Sequence, residues 1–208
     1  LYIRCDITDN LQVQDMVNKT ISEFGKVDIL VNNAGGIIPG HGGPIEDTTE
    51  EHWDKMVNLN LKSQFLCCKA VVPNMKANRY GKIVNLSSMG ATHPPAGIIH
   101  YHSAKGGVIG LTVNLAMELA QMNITVNAIL PGPIQSEFYS EMLKSVPDKE
   151  AFFANLGKRV PMQRIGTPED IAGVALFLAS DLSSYVTAES ICAGGGLPLP
   201  PPNIRNME

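Results

Sequence analysis

Apolar residues fall into short, nearly continuous runs separated by stretches with helical spacing. The runs lie at 1–6, 27–31, 82–86 and 124–130, and such runs are typical of strands buried on both faces of a parallel sheet. Between the first two runs, apolar residues recur every three or four positions, namely Val13, Met16, Val17, Ile21 and Phe24. This period predicts an amphipathic helix. Strands alternating with helices predict an α/β protein with a parallel sheet and helices on both faces.

Capping residues and prolines indicate where the other helices begin and end. Thr48 and Glu51 have the spacing of a capping box, which predicts a long helix from there towards Pro73. Thr167 followed by Pro168 predicts the start of a late helix through Leu178. The remaining helical patterns cover 101–122 and, as one or two small helices, 136–160.

Length and composition indicate one globular domain. The 208 residues are 44% hydrophobic and 17% charged, which is enough to bury a sizeable core. We expect this domain to cover 1–196. The prolines that follow predict an extended tail over 197–208.

Charge and cysteine usage narrow the class of protein. A formal net charge of −4 gives no electrostatic reason to expect nucleic acid or an anionic membrane as a partner. No apolar run approaches the ~20 residues that cross a bilayer. The four cysteines show no metal-ligand spacing, so we expect a cytoplasmic protein that binds no metal. We also expect it to act on a small molecule.

Tyr101 and Lys105 are four positions apart, on one face of a predicted helix. A tyrosine that acts as a base near neutral pH needs its pKa lowered by ~3 units, or about 4 kcal/mol. One positive charge at ~4 Å with an effective dielectric constant of ~20 supplies about that much. Ser88 ends a predicted strand 13 positions before Tyr101. Asn60 lies on the preceding helix, and the motif Asn-Asn-Ala-Gly at 32–35 ends the strand before that.

In the order and spacing of these motifs, the chain resembles the short-chain dehydrogenase/reductase family, in particular its 3-oxoacyl-[acyl-carrier-protein] reductase-like members. The resemblance implies a Rossmann-like doubly wound parallel sheet in a three-layer α/β/α fold. It also implies an NAD(P)-dependent oxidoreductase that interconverts a secondary alcohol and a ketone by hydride transfer. Tyr101 would be the general acid/base, and Ser88 would hydrogen-bond the same substrate oxygen. Lys105 would bind the nicotinamide ribose hydroxyls and lower the pKa of Tyr101. Asn60 would hold, through its backbone carbonyl, a water of a proton relay.

The resemblance also implies contacts with the cofactor, NAD or NADP. Asp6 would contact the adenine amino group, and Ile7 would contact the cofactor through its backbone. Asn32 and Ala34 would lie beside the adenine-side ribose. Ile134 and Ser136 would reach the nicotinamide carboxamide, with Ser136 standing where the family usually has threonine. Tyr101 and Lys105 complete the set. Asn33 would be structural and bond neighbouring strands.

The family's glycine-rich phosphate-binding turn is not found in this sequence. The resemblance therefore implies that a further segment of ~50 residues precedes position 1, and that the sheet is incomplete at its N-terminus. The residue that distinguishes NAD from NADP lies in that segment, so either cofactor is expected. The family also commonly has glycine at the position of Ala188.

Several expectations remain open at this stage. The alternative function is a catalytically silent dinucleotide-binding regulator or scaffold. A further alternative is that these 208 residues are the functional protein without a preceding segment.

The resemblance suggests a homotetramer or homodimer assembled through the long helices at 50–75 and 101–122. The side chains expected to line the substrate pocket, for a moderately apolar substrate, are His93, Pro94, Gly97, Ile98, Phe138, Met142, Phe152 and Phe153.

Overall fold

Four parallel strands form one sheet in the computed structural model, which describes residues 1–40, 42–139 and 142–197, apart from the side chains of 142 and 145. The strands are paired in chain order, β1-β2-β3-β4. Their bounds are Ile29–Asn32 (β1), Gly81–Leu86 (β2), Ile124–Pro131 (β3) and Ser190–Ala193 (β4). All three pairings are parallel, so the predicted parallel sheet is confirmed.

Six α-helices connect and cover these strands within the described residues. They are Asn10–Phe24 (α1), Glu50–Val57 (α2), Ser63–Asn78 (α3), Ile99–Leu119 (α4), Lys149–Gly157 (α5) and Pro168–Ala179 (α6). A five-residue π-helical segment, Asn58–Lys62, joins α2 to α3. No helix in the described ranges combines the length and apolar character needed to cross a bilayer.

The central strands are buried on both faces, which explains their nearly continuous apolar sequence. On one face, Ile83 and Val126 pack with residues of α1, α3 and α4. On the other face, Val84 and Ile129 pack against Leu178 of α6. Neighbouring residues of β2 thus contribute to opposite cores, as successive side chains of a strand must. The predicted three-layer α/β/α architecture is confirmed.

The strand predicted at 1–6 is not present. Its residues begin with an apolar run like that of β1, but they pair with no other strand of the described chain. A β-strand exists only as part of a hydrogen-bonded ladder. β1 is consequently one of the two edge strands of the described sheet, and its Ile29 and Val31 are 45% and 44% exposed.

The long helix predicted from Thr48 towards Pro73 differs from the structure in three ways. Thr49, not Thr48, caps α2, because its hydroxyl accepts the backbone N–H of His52 at 3.1 Å. The π-helical segment interrupts the helix. Pro73 lies inside α3, which ends only at Arg79 with a left-handed φ of 50°. Burial of the core residues around Pro73 outweighs the backbone hydrogen bond that a proline lacks.

The C-terminal half follows the prediction more closely. Thr167 caps α6, and its backbone N–H donates to Asp170 Oδ2 at 2.8 Å. The small helices expected over 136–160 are α5 and two 3₁₀ turns, Glu137–Tyr139 and Met142–Ser145. The tail predicted over 197–208 lies outside the described residues from position 198 onward.

Candidate active site

The predicted catalytic residues converge at the carboxyl edge of the sheet. Ser88 follows β2, the loop at 33–36 follows β1, whose last residue is Asn32, and α4 carries Tyr101 and Lys105. Because all four strands are parallel, their carboxyl ends share one edge, where open α/β sheets bind ligands. Within the described residues, no cluster of histidine, cysteine and acidic side chains could hold a metal ion at this edge or elsewhere.

Lys105 is anchored to the main chain of β2. Its side chain is buried, and Nζ donates a hydrogen bond to the carbonyl of Leu86 at 2.8 Å. An ammonium group has three donors, of which this bond uses one. Removal from water lowers the pKa of Lys105 to about 8. The ammonium is therefore shielded from water and keeps two N–H groups that could donate hydrogen bonds to a ribose hydroxyl.

Tyr101 is buried beside the half-buried Ser88, close enough for the Ser88 hydroxyl to lower the pKa of the phenol. Ser88 Oγ also accepts the backbone N–H of Gly90 at 3.1 Å. The neighbouring Ser87 points elsewhere, because its Oγ donates to the carbonyl of Lys105 at 2.8 Å. Of the two adjacent serines, Ser88 is the one beside the phenol, as the sequence predicts.

The pKa of Tyr101 does not follow the expectation from sequence. It is raised, chiefly because burial penalises the phenolate, and the neighbouring Ser88 hydroxyl offsets only part of this. The ammonium of Lys105 lies 5.7 Å from the centre of the Tyr101 ring and donates to Leu86. The predicted lowering by Lys105 is therefore wrong for the structure, because desolvation outweighs the effect of a charge directed at a carbonyl.

Asn60 links the loop after β1 to the helical layer. It is fully buried in the π-helical segment, a kind of helical irregularity that is frequent at functional sites. Its Nδ2 donates to the carbonyl of Gly36 and its Oδ1 accepts the N–H of Gly36, both at 2.9 Å. Sequence reasoning assigned a role to the backbone carbonyl of Asn60 and missed this side-chain role.

Gly35 allows this link to form. Its φ is +148°, and a Cβ added there would lie 2.9 Å from Asn60 Oδ1 and 3.7 Å from Lys105 Nζ. The loop backbone therefore passes directly over the two predicted catalytic side chains. A residue with a side chain would displace the loop or Asn60.

The expected structural role of Asn33, bonding a neighbouring strand, belongs to Asn32 instead. Asn32, not Asn33, bonds the neighbouring strand: its buried side chain donates to Asn85 Oδ1 at 2.8 Å. Asn33 is exposed, and its backbone N–H donates to the carbonyl of Val31. A contact between Asn32 and the cofactor ribose stays a prediction, and it would have to be made by the backbone of Asn32.

The other residues predicted to contact the cofactor lie near the start of the chain, after β1 or after β3. Asp6 is exposed, and the Thr8 hydroxyl and N–H donate to its Oδ1 at 2.7 and 2.9 Å, which lowers its pKa. Ile7 is half-buried and Ala34 is exposed. Ile134 pairs with Gly166 beyond β3, and Ser136 is exposed.

These residues fit the nicotinamide half of a dinucleotide. The loop after β1 exposes small residues, including Ala34 and Gly35, so a ligand can approach its backbone closely. The donors of Lys105 lie directly beneath that loop. NAD or NADP would therefore be held by residues that the sequence predicts, with hydride chemistry supplied beside Tyr101.

Three residues that position the site were missed from sequence. Gln64 is buried and donates to the Leu86 carbonyl at 3.0 Å, the same acceptor that Lys105 uses. Gly107 lets α4 approach the π-helical segment, since a Cβ there would lie 2.6 Å from the Leu61 side chain. Tyr139 packs in an aromatic cluster near Tyr101. A polar residue within an apolar helical pattern was the available signal for Gln64.

Comparisons with known proteins agree with this geometry. A family model described as "Enoyl-(Acyl carrier protein) reductase" matches residues 1–198. The chain is 42% identical over 192 residues to the 3-oxoacyl-[acyl-carrier-protein] reductase FabG of Thermotoga maritima, covering 92% of this chain and 74% of the relative. It is also 42% identical over 191 residues to the (2S)-[(R)-hydroxy(phenyl)methyl]succinyl-CoA dehydrogenase subunit BbsD of Thauera aromatica, covering 92% and 73%. A solved structure of ElxO with NADP bound is similar at a TM-score of 0.83 and 34% identity, covering 92% of this chain and 75% of that chain.

Fold, site and relatives together define an oxidoreductase built on a Rossmann-like sheet. The chain belongs to the short-chain dehydrogenase/reductase family. It is an NAD(P)-dependent enzyme that interconverts an alcohol and a ketone by hydride transfer. The comparisons give no support to a catalytically silent protein of the same fold.

Proposed function

We propose that Tyr101, Ser88, Lys105 and Asn60 carry out this reaction, with Tyr101 as the general acid/base. The observation that carries the proposal is that the buried Tyr101 has Ser88 beside its phenol and the buried Lys105 ammonium 5.7 Å from its ring centre. Two hydroxyl groups side by side can both donate to one carbonyl oxygen. NAD(P)H supplies the hydride when it is bound.

The raised pKa of Tyr101 suits the direction of ketone reduction. A phenol with a raised pKa keeps its proton at neutral pH and can donate it to the oxygen as negative charge develops there. Ser88 stabilises the same charge and fixes the distance of the oxygen. In the oxidation direction, Tyr101 must accept a proton, and because burial raises its pKa, the phenolate that this step requires forms only at high pH.

Asn60 and Lys105 act mainly on position and proton supply in this proposal. The side chain of Asn60 holds the loop over Lys105 through its two bonds to Gly36. Lys105 binds the ribose hydroxyls of the cofactor with donors that the Leu86 carbonyl does not use. NAD or NADP further contacts Asp6, Ile7, Asn32, Ala34, Ile134 and Ser136.

Substitution of Tyr101 tests the assignment. In the full-length protein with NADH or NADPH and a panel of ketones, Tyr101→Phe should lower kcat by ~10²–10⁴-fold, the usual contribution of general acid/base catalysis. Tyr80→Phe is the matched control, because Tyr80 loses the same hydroxyl just before β2, at the opposite edge of the sheet. Full activity of Tyr101→Phe would end the proposal.

We further propose that the protein is cytoplasmic and forms a homotetramer or homodimer through the long helices. Apolar side chains on α3 and α4 support this assembly: Phe65, Val113 and Met117 are 45%, 39% and 75% exposed. All four cysteines are free thiols, which fits a reducing compartment. Sedimentation velocity of the full-length protein tests the assembly, and a monomer would contradict it.

A further inference from the structure

A cluster of aromatic rings borders the Tyr101 side chain. Phe138 lies nearest, with its ring centre 6.2 Å from that of Tyr101. Tyr139 is 5.3 Å from Phe138 and about equally far from two rings of α5, at 6.0 Å from Phe152 and 5.8 Å from Phe153. We call Phe138, Tyr139, Phe152 and Phe153 the aromatic cluster.

The cluster is held in place before any substrate arrives. Asp148 caps α5 by accepting the N–H of Ala151 at 2.9 Å, which fixes the helix that carries Phe152 and Phe153. These two rings and Tyr139 meet at interplanar angles of 66° to 84°, the edge-to-face geometry that aromatic pairs favour. A preformed wall can discriminate between substrates without the entropic cost of ordering.

Phe138 is the member of the cluster with the most open surface. Its side chain is 47% exposed, whereas Tyr139, Phe152 and Phe153 are half-buried. Burial of Tyr139 is also sufficient to raise the pKa of its phenol. The ring beside the reacting hydroxyl is therefore the one whose surface is available to a ligand.

Resting on the function proposed above, we propose that Phe138 stacks with an aromatic ring attached to the carbonyl carbon of the substrate. The enzyme then selects aryl ketones and the corresponding benzylic alcohols over saturated counterparts. A ketone oxygen bonded to Tyr101 places the carbonyl carbon next to the phenol. Because the Phe138 ring centre lies 6.2 Å from that of Tyr101, a ring bonded directly to that carbon would come within range of Phe138. Edge-to-face or offset pairs form at centre distances of 4.5–7 Å and add to the gain from apolar burial.

Two ketones of nearly equal size separate ring stacking from bulk. Acetophenone carries a phenyl ring, and cyclohexyl methyl ketone carries its saturated equivalent. Phe138→Leu keeps an apolar side chain and removes the ring, so kcat/KM for acetophenone should fall about 3- to 10-fold while that for cyclohexyl methyl ketone changes less than about 2-fold. Each ketone is compared between wild type and variant, which cancels its intrinsic reactivity. Phe138→Tyr keeps the ring and should restore the acetophenone value.

Phe24→Leu is the control for a phenylalanine far from the site, since Phe24 is exposed at the end of α1. It should leave both ketones unaffected. An equal loss for both ketones in Phe138→Leu would mean that Phe138 only supports the local fold, and it would overturn the proposal. Reduction of alkyl ketones without any reduction of acetophenone would overturn it as well.

Binding measurements distinguish failure of this proposal from failure of the proposed function. Calorimetry with the full-length protein saturated with NADPH, which cannot accept a hydride from an alcohol, should show 1-phenylethanol binding about 3- to 10-fold more tightly than 1-cyclohexylethanol. Phe138→Leu should abolish that difference. If no ketone is reduced but the difference in binding is present, the catalytic assignment fails and the stacking site stands. If ketones are reduced and the difference is absent, the stacking site fails alone.

Discussion

Gly35 and Gly36 form a matched pair for measuring how firmly Asn60 holds the loop after β1. Both residues have a positive φ, 148° and 154°, so alanine at either position is strained by ~1–3 kcal/mol. A Cβ at Gly35 would lie 2.9 Å from Asn60 Oδ1, whereas a Cβ at Gly36 would have no atom within 4 Å. The two alanine substitutions share the backbone strain and differ in the contact with Asn60.

That contact is costly because Asn60 cannot move without losing hydrogen bonds. Its side chain is fully buried and makes two bonds to Gly36, each 2.9 Å long. Each such bond contributes ~0.5–1.5 kcal/mol. Gly35→Ala should therefore lower the free energy of unfolding by ~1–3 kcal/mol more than Gly36→Ala does.

Urea denaturation of the full-length protein, followed by circular dichroism, measures both variants against the wild type. Steady-state kinetics on the same samples should show the larger fall in kcat/KM for Gly35→Ala, because the displaced loop lies over Lys105. Equal losses of stability in the two variants, within about 0.5 kcal/mol, would refute the reasoning. The loop would then be held by something other than Asn60.

Three further predictions concern Ser87, Ser88, Lys105 and Ala188. Ser88→Ala should lower kcat by ~10²–10³-fold, because it removes a donor to the substrate oxygen. Ser87→Ala should leave kcat nearly unchanged and lower the free energy of unfolding by ~1 kcal/mol, because Ser87 loses its bond to the Lys105 carbonyl. Equal losses of kcat in the two variants would contradict this. Burial lowers the pKa of Lys105 to about 8, so between pH 8 and its ordinary pKa the unfolded chain binds more protons there than the folded protein. Lys105 should then make the unfolding free energy rise by up to ~1.4 kcal/mol per pH unit, and Lys105→Met should remove that slope; parallel urea-denaturation pH profiles of wild type and variant would disprove it. Ala188 has a left-handed φ of 65°, so Ala188→Gly should raise the unfolding free energy by ~0.5–1 kcal/mol, and a lower Tm would speak against strain there.

Hydrophobic periodicity located the sheet because burial acts on each strand separately. β2 and β3 are enclosed by helices on both faces, and this enclosure is visible in their apolar sequence. The run at 1–6 has the same appearance but forms no strand. Strand formation depends on a hydrogen-bonding neighbour, and a local pattern carries no information about that neighbour.

The meeting of Ser88, Tyr101 and Lys105 was predictable for a related reason. Parallel strands place their carboxyl ends together, and a four-residue spacing places Tyr101 and Lys105 on one helical face. The side-chain role of Asn60 was not predictable in this way. It depends on bonds to a loop residue 24 positions away and on the close approach of α4 at Gly107, both of which are tertiary contacts.

The pKa of Tyr101 shows a different limit of sequence reasoning. The sequence provides the ammonium charge and an approximate distance, which together predict a lowered pKa. The structure adds burial, the largest contribution, which acts in the opposite direction. Desolvation of a side chain depends on everything packed around it, so it cannot be estimated from the spacing of two residues.

The anchor of Lys105 on the Leu86 carbonyl has a consequence for substitutions at position 86. Every amino acid carries the same main-chain carbonyl, so exchange of the residue at 86 can alter its packing and still leave the acceptor for Lys105 and Gln64 in place. The position of the Lys105 ammonium therefore depends on the backbone path of β2 and not on the side chain at 86. Substitution of Leu86 by another apolar residue should therefore leave Lys105 in place.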